Sequence, residues 1–112
     1  MKLAIVGSRN YAHLNEVERY VSNLPKDTII ISGGAAGVDM EAVNVARKVG
    51  LNYKTILPQW DKYGKVAGLR RNLLIIAEAD EVIAFWDGKS RGTKHSIDIA
   101  KMSHIPVKIY DE

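Results

Sequence analysis

The chain of 112 residues has no cysteine, which excludes disulfide staples, thiolate nucleophiles and metal centres built on thiolates. Its three histidines, His13, His95 and His104, are dispersed, and no pair frames a carboxylate at metal-ligand spacing, so no metal site is expected. The longest purely apolar run, Leu73 to Ala77, falls far short of the ~20 residues that cross a bilayer. Met1 and Lys2 lead straight into a strand-like segment without a signal-peptide pattern; the expectation is a cytoplasmic protein with no membrane partner. Charge of one sign is also scarce. Sixteen basic against thirteen acidic side chains give +3, too little by itself to argue for a nucleic-acid or membrane surface. No G-x-G-x-x-G follows the first strand, and neither a Walker A sequence nor G-x-S-x-G occurs. These absences set aside a nicotinamide dehydrogenase, P-loop phosphoryl transfer and α/β-hydrolase chemistry.

What the chain has is a regular alternation. With 46% hydrophobic and 26% charged residues it has the make-up of an ordinary globular protein, and its length suits one core, so a single domain over residues 1–112 is expected. Leu3 to Val6 is an apolar, β-compatible run closed by Gly7, after which Leu14, Val17, Val21 and Leu24 recur at helical spacing until Pro25. Thr28 to Ile31 is rich in β-branched residues, and Val38, Ala42, Val45, Ala46 and Val49 again follow helical spacing up to Gly50. Tyr53 to Leu57 reads as a third strand, Leu69 to Ala79 as a helix, Glu81 to Trp86 as a fourth strand, Thr93 to Ser103 as a helix, and Pro106 to Tyr110 as the last strand. Pro58 to Gly68, PQWDKYGKVAG, reads as a mobile loop with two aromatics and two lysines. Near-continuous apolar strands alternating with helices predict an α/β fold: a single Rossmann-like, doubly wound parallel sheet of five strands with helices on both faces. Right-handed crossovers with one reversal favour strand order 3-2-1-4-5 over 2-1-3-4-5.

Three loops of unusual composition leave carboxyl ends of these strands: Gly7-Ser8-Arg9-Asn10, Ser32-Gly33-Gly34-Ala35-Ala36-Gly37, and Asp87-Gly88-Lys89-Ser90-Arg91-Gly92-Thr93. In such a sheet they open onto one crevice, into which the following helices point unpaired N–H groups and the positive ends of their dipoles, so an anion is the natural occupant. Gly33, Gly34 and Gly37 would let phosphate oxygens rest on backbone amides. Arg9, Arg91 and Lys94 would add charge, Ser8, Ser32, Ser90 and Thr93 hydroxyl groups, and Asp39 a contact to a ribose hydroxyl. Arg70 and Arg71 cannot both face the crevice from one helix; Arg71, beside Asn72, is the expected one. Each residue also has a structural role open to it. Glycines after strands serve turns and helix packing, an acid such as Asp39 in a first helical turn complements the dipole, and Trp60 and Tyr63 can pack over the core or form a subunit contact instead of stacking on a base.

Taken together, Gly7-Ser8-Arg9, Ser32-Gly33-Gly34-Ala35-Ala36-Gly37-Val38-Asp39, Arg71-Asn72 and Ser90-Arg91-Gly92-Thr93 resemble the SLOG superfamily. It unites the DNA-processing protein A (Smf) domain, the Lonely Guy phosphoribohydrolases and small YspA-related domains, the last group being most similar. The resemblance covers nearly the whole chain and implies a Rossmann-like fold with a nucleotide-like ligand at the glycine-rich loops, through Gly7, Ser8, Arg9, Ser32, Gly33, Gly34, Ala35, Gly37, Asp39, Arg71, Asn72, Ser90, Arg91, Gly92 and Thr93. The Lonely Guy motif PGG-x-GT-x-x-E is matched only at Gly92-Thr93: Ser96 stands at the glutamate position and Gly88-Lys89-Ser90 replaces PGG. Asp39, Asp87 and Arg71 are then the candidate catalytic groups, with a carboxylate stabilising oxocarbenium charge in cleavage of an N-glycosidic bond. The expected function is binding of a phosphate-bearing nucleotide or derivative, as a sensor or N-glycosidase, with no further cofactor specified. The alternative is a single-stranded nucleic-acid binding module related to DNA-processing protein A, with Lys62, Lys65 and the loop aromatics lining a groove. Free edge strands and helix faces make a homo-oligomer the expected assembly.

Overall fold

Every strand in the computed structural model, which describes residues 1–111, runs parallel to its neighbours. The elements are β1 (Lys2–Gly7), α1 (Leu14–Ser22), β2 (Ile29–Ser32), α2 (Val38–Val49), β3 (Asn52–Thr55), α3 (Trp60–Tyr63), α4 (Ala67–Glu78), β4 (Glu81–Trp86), α5 (Arg91–Met102) and β5 (Val107–Asp111), with a 3-10 turn at Gly64–Val66 between α3 and α4. The sheet order is β3-β2-β1-β4-β5, the favoured order from the sequence. Period-two alternation divides the core between the two faces of the sheet. Leu3, Ile5, Ile30, Ile83 and Phe85 pack with Val17, Val21, Val38 and Val45 of α1 and α2, whereas Ala4, Val6, Ile31, Val82 and Ala84 pack with Ile75, Ile76, Ile97 and Ala100 of α4 and α5.

The winding reverses between β1 and β4. The chain runs outward from β1 to β2 and β3, and α4 then carries it back across to β4. Pairing of Val6 with Ala84 and Gly7 with Phe85 sets the loop after β1 directly beside the loop after β4, at the switch point where doubly wound sheets open a crevice.

Several element boundaries differ from the sequence-based ones, each for a physical reason. β3 stops at Thr55 instead of Leu57, and all four of its residues are exposed. β5 begins at Val107 and is largely exposed too, so the continuous apolar pattern holds for the inner strands and fails at the edges, where one face lacks a covering helix. α5 begins two residues early, at Arg91, because Ser90 caps it by accepting a hydrogen bond from the Thr93 N–H. Arg91, Gly92 and Thr93 therefore form a first helical turn. The segment Pro58 to Gly68, expected to be a loop, contains α3, the 3-10 turn and the start of α4.

Candidate functional site

The three loops meet through main-chain packing. Gly37 sits at φ +87°, and a Cβ there would lie 2.6 Å from the Arg9 Cα; only glycine gives both the positive φ and the room for the two loops to touch. Gly34 also has positive φ, +70°, and a side chain there would meet Thr55 and Leu57. Ser8, fully buried, ties the third loop in: its N–H donates to the Phe85 carbonyl at 3.0 Å and its Oγ accepts from the Asp87 N–H at 3.0 Å. Ser32 Oγ donates to the Asp39 carbonyl at 3.1 Å and accepts from the Gly34 N–H at 3.2 Å. Ser8, Ser32, Gly33, Gly34 and Gly37 thus form a supporting layer behind the crevice.

In front of them lies a pocket of about 190 Å³. Of the residues expected from the sequence, Gly7, Arg9, Ala35, Asp39, Arg71, Asn72, Ser90, Gly92 and Thr93 line it. Arg91 is exposed on the first turn of α5 and lies outside the lining. Val6, Ala36, Ile75 and Ser96 also line it without having been expected. Helical spacing could have found two of them: Ile75 stands one turn beyond Arg71 and Asn72, and Ser96 one turn beyond Thr93.

The Arg71-Asn72 pair connects two of the rim loops. Arg71 Nη1 donates to the Gly33 carbonyl at 2.8 Å and Nε to Asn72 Oδ1 at 3.0 Å, while Asn72 Nδ2 reaches the Gly92 carbonyl at 3.5 Å and lies 3.2 Å from His95 Nδ1. Consecutive helical residues point about 100° apart, and Arg70 accordingly turns outward to stack over the Tyr63 ring at 3.9 Å. Asp39 is 7% exposed. Burial pushes its carboxyl up to about 6 despite the opposing pull of Arg71 and of the Ala35, Gly7 and Gly33 amides. Its Oδ1 is buried and has no partner among the described residues. Asp87 behaves differently: its Oδ1 accepts from the Lys89 and Ser90 N–H groups, both at 2.8 Å, and these bonds hold its carboxyl below the usual range. That carboxylate closes the turn ahead of α5 and is not part of the pocket lining.

The pocket can therefore hold an anion. Two helix N-termini, α2 and α5, converge on it, and Arg9 and Arg71 outnumber the one carboxylate, Asp39. Among the described residues no helix is long and apolar enough to cross a membrane, and no group of acidic and histidine side chains could hold a metal ion.

Comparison with known proteins gives this geometry a lineage. Over its full fold the chain superposes on DNA processing protein A from Streptococcus pneumoniae with a TM-score of 0.84 at 22% identity, covering 96% of this chain and 49% of that one. The structure of DNA processing protein A from Helicobacter pylori, described for its single-stranded DNA binding mode, matches with a TM-score of 0.65 at 25% identity, covering 97% of this chain and 64% of that one. The chain thus spans roughly half to two thirds of the length of these solved relatives. The Gene 61 protein of Mycobacterium phage D29 is 37% identical over 89 residues, 74% of this chain and 71% of its own. The model of the DNA recombination-mediator protein A family matches residues 1–59, the half that contains β1, both glycine-rich loops and Asp39. With that match and the phage relative, the chain belongs to the DNA recombination-mediator protein A family, within the SLOG-type Rossmann-like proteins.

Proposed function

We propose that the rim pocket binds single-stranded nucleic acid by taking a backbone phosphate. The observation that carries this reading is the size of the pocket set against its charge. About 190 Å³ is less than the roughly 300–1,000 Å³ of sites that enclose a whole small ligand, whereas one phosphate on helix N-termini with flanking arginines fits it. Sugars and bases then remain outside, where α3 offers the exposed Trp60 and the Tyr63 ring, flanked by Lys62 and Arg70. Stacking on such rings is indifferent to sequence and stabilises each base by about 1–3 kcal/mol. The single-stranded DNA binding described for the Helicobacter pylori relative supports the same reading.

A second reading, a mononucleotide ligand, is favoured by one feature: the buried Asp39 Oδ1 without a partner, which would accept a hydrogen bond from a ribose hydroxyl. Fluorescence anisotropy with a labelled 20-nucleotide strand separates the two. For single-strand binding, log K falls with log salt by about 0.7 for each phosphate neutralised, and Arg9→Ala lowers that slope by about one such unit as well as the affinity. An affinity for the strand that is insensitive to salt and to Arg9→Ala contradicts phosphate-chain binding.

A further inference from the structure

Asp39 brings a carboxyl group into a pocket otherwise fitted for an anion. It stands second in α2 (Val38–Val49), in the turn whose amides would hold a bound phosphate, and the Ala35, Gly7 and Gly33 amides that favour its own charge come from the loops at the same rim. Carboxylate and phosphate therefore compete for one positive field. The cations leave this conflict standing: Arg71 directs Nη1 to the Gly33 carbonyl and Nε to Asn72, and the ion pairs among the described residues, Lys54–Glu78 and Lys94–Asp98, do not include Asp39. Its Oδ1 is buried and has no partner among them. Arg71 faces it from α4 and Arg9 from the loop after β1, both guanidinium groups that stay charged. From α5 come Thr93 and Ser96, from the loop after β2 Ala35 and Ala36, and from α2 no other pocket side chain, while Asp87 and Arg91 lie outside the lining. His95 borders this side through the Asn72 amide.

A phosphodiester seated on the N-termini of α2 and α5 meets this buried carboxyl. Two anions pressed together away from water do not both keep their charge, and the proton settles on the weaker acid, here the carboxyl. The unpartnered Oδ1 is the atom free to carry it, as an O–H donor to a phosphate oxygen. We propose that strand binding at this pocket takes up one proton from solvent, which Asp39 holds and donates as a hydrogen bond to the bound phosphate. The proposal rests on the strand-binding reading above and adds a control to it: the seat favours phosphate as the medium acidifies and disfavours it as the medium turns alkaline. Burial has already carried Asp39 part of the way, holding its carboxyl at about 6 in the free chain. A bound phosphate raises it further, so the complex holds more protons than the free chain above that value and its affinity grows as pH falls.

Anisotropy of a labelled oligothymidylate with the full chain tests this, because neither phosphodiesters nor thymine ionise near neutrality and the protein alone supplies the titration. Affinity should rise at least roughly tenfold as pH falls from about 8 to about 6 and level off below that. Asp39→Asn, uncharged throughout and able to donate through its amide, should show a flat profile and bind at about pH 8 at least roughly tenfold more tightly than the parent. Calorimetry of the parent in two buffers of different ionisation enthalpy counts the protons without any variant, and close to one should be taken up at about pH 7.5. A parent affinity that is flat, or that falls with acid as a ribose hydroxyl donating to a carboxylate would give, overturns the proposal. So does a pH profile unchanged in Asp39→Asn, or a proton count near zero. Sulfate, which keeps its charge over this range, separates the proposal from the strand reading. If no strand binds at any pH, the strand reading fails, and the amide signals of Ala36 and Gly92 titrated with sulfate decide the rest: binding strengthened by acid in the parent and flat in Asp39→Asn upholds the proton coupling, whereas no binding, or binding indifferent to pH, overturns it.

Discussion

Asp39 and Gly37 show how much of this site rests on single residues. Burial raises the Asp39 carboxyl from 3.8 to about 6, so between those values the folded chain holds a proton that the unfolded chain has released. The stability this group contributes is complete below about 3.8 and is lost as pH rises through about 6; at neutral pH its charged form costs on the order of 3 kcal/mol. Asparagine does not titrate. Urea unfolding of Asp39→Asn beside the parent should show the variant gaining on the parent between about pH 4 and about pH 6 and holding a constant lead above that, and a difference that does not change with pH would mean that Asp39 keeps an ordinary carboxyl. Gly37→Ala forces a side chain into a left-handed residue packed on the Arg9 backbone, and the expected loss is about 1–3 kcal/mol, measured as the same urea midpoint shift. Glycine in this loop was read from the sequence as a surface for phosphate oxygens. Its local signal was visible, but the Gly37–Arg9 contact spans 28 positions in the chain, and nothing in a glycine announces which distant backbone it will approach.

At the scale of elements, the inner strands and their helices were legible because apolar period and β-branching act locally, whereas helix starts depended on capping by particular side chains. Ser90 is the clearest instance: its Oγ caps α5 and lies 3.0 Å from Thr93 Oγ1, so a loop read as R-G-T became a helical turn that presents Gly92 and Thr93 to the pocket. Ser90→Ala should cost about 1 kcal/mol and lower the thermal midpoint by roughly 4 °C. Arg71 joins α4 to the loop after β2 through its forked donors. Arg71→Lys keeps the charge and loses the fork, so strand affinity should fall about tenfold with little change in salt slope; an unchanged affinity would show that charge alone suffices. Two of the four pocket residues missed from the sequence, Ile75 and Ser96, stand one helical turn from expected ones, yet an apolar residue and a small hydroxyl there look like ordinary core positions until the loop in front of them is placed.

For the molecule as a whole, topology assembles the site. Reversal of winding between β1 and β4 brings three separate loops to one rim, and with them two helix N-termini, Arg9 and Arg71. The formal charge of +3 is modest, so long-range attraction contributes little, and the proposed strand binding relies on the phosphate seat together with bases stacked on α3. A titration with thymidylate, then oligothymidylates of increasing length at fixed salt, tests this most directly. Affinity should rise with length until the strand spans from the pocket to Trp60 and then level off, with Trp60→Ala lowering only the longer ligands. Saturation by thymidylate as tight as by the longest strand would contradict binding through a nucleic-acid chain.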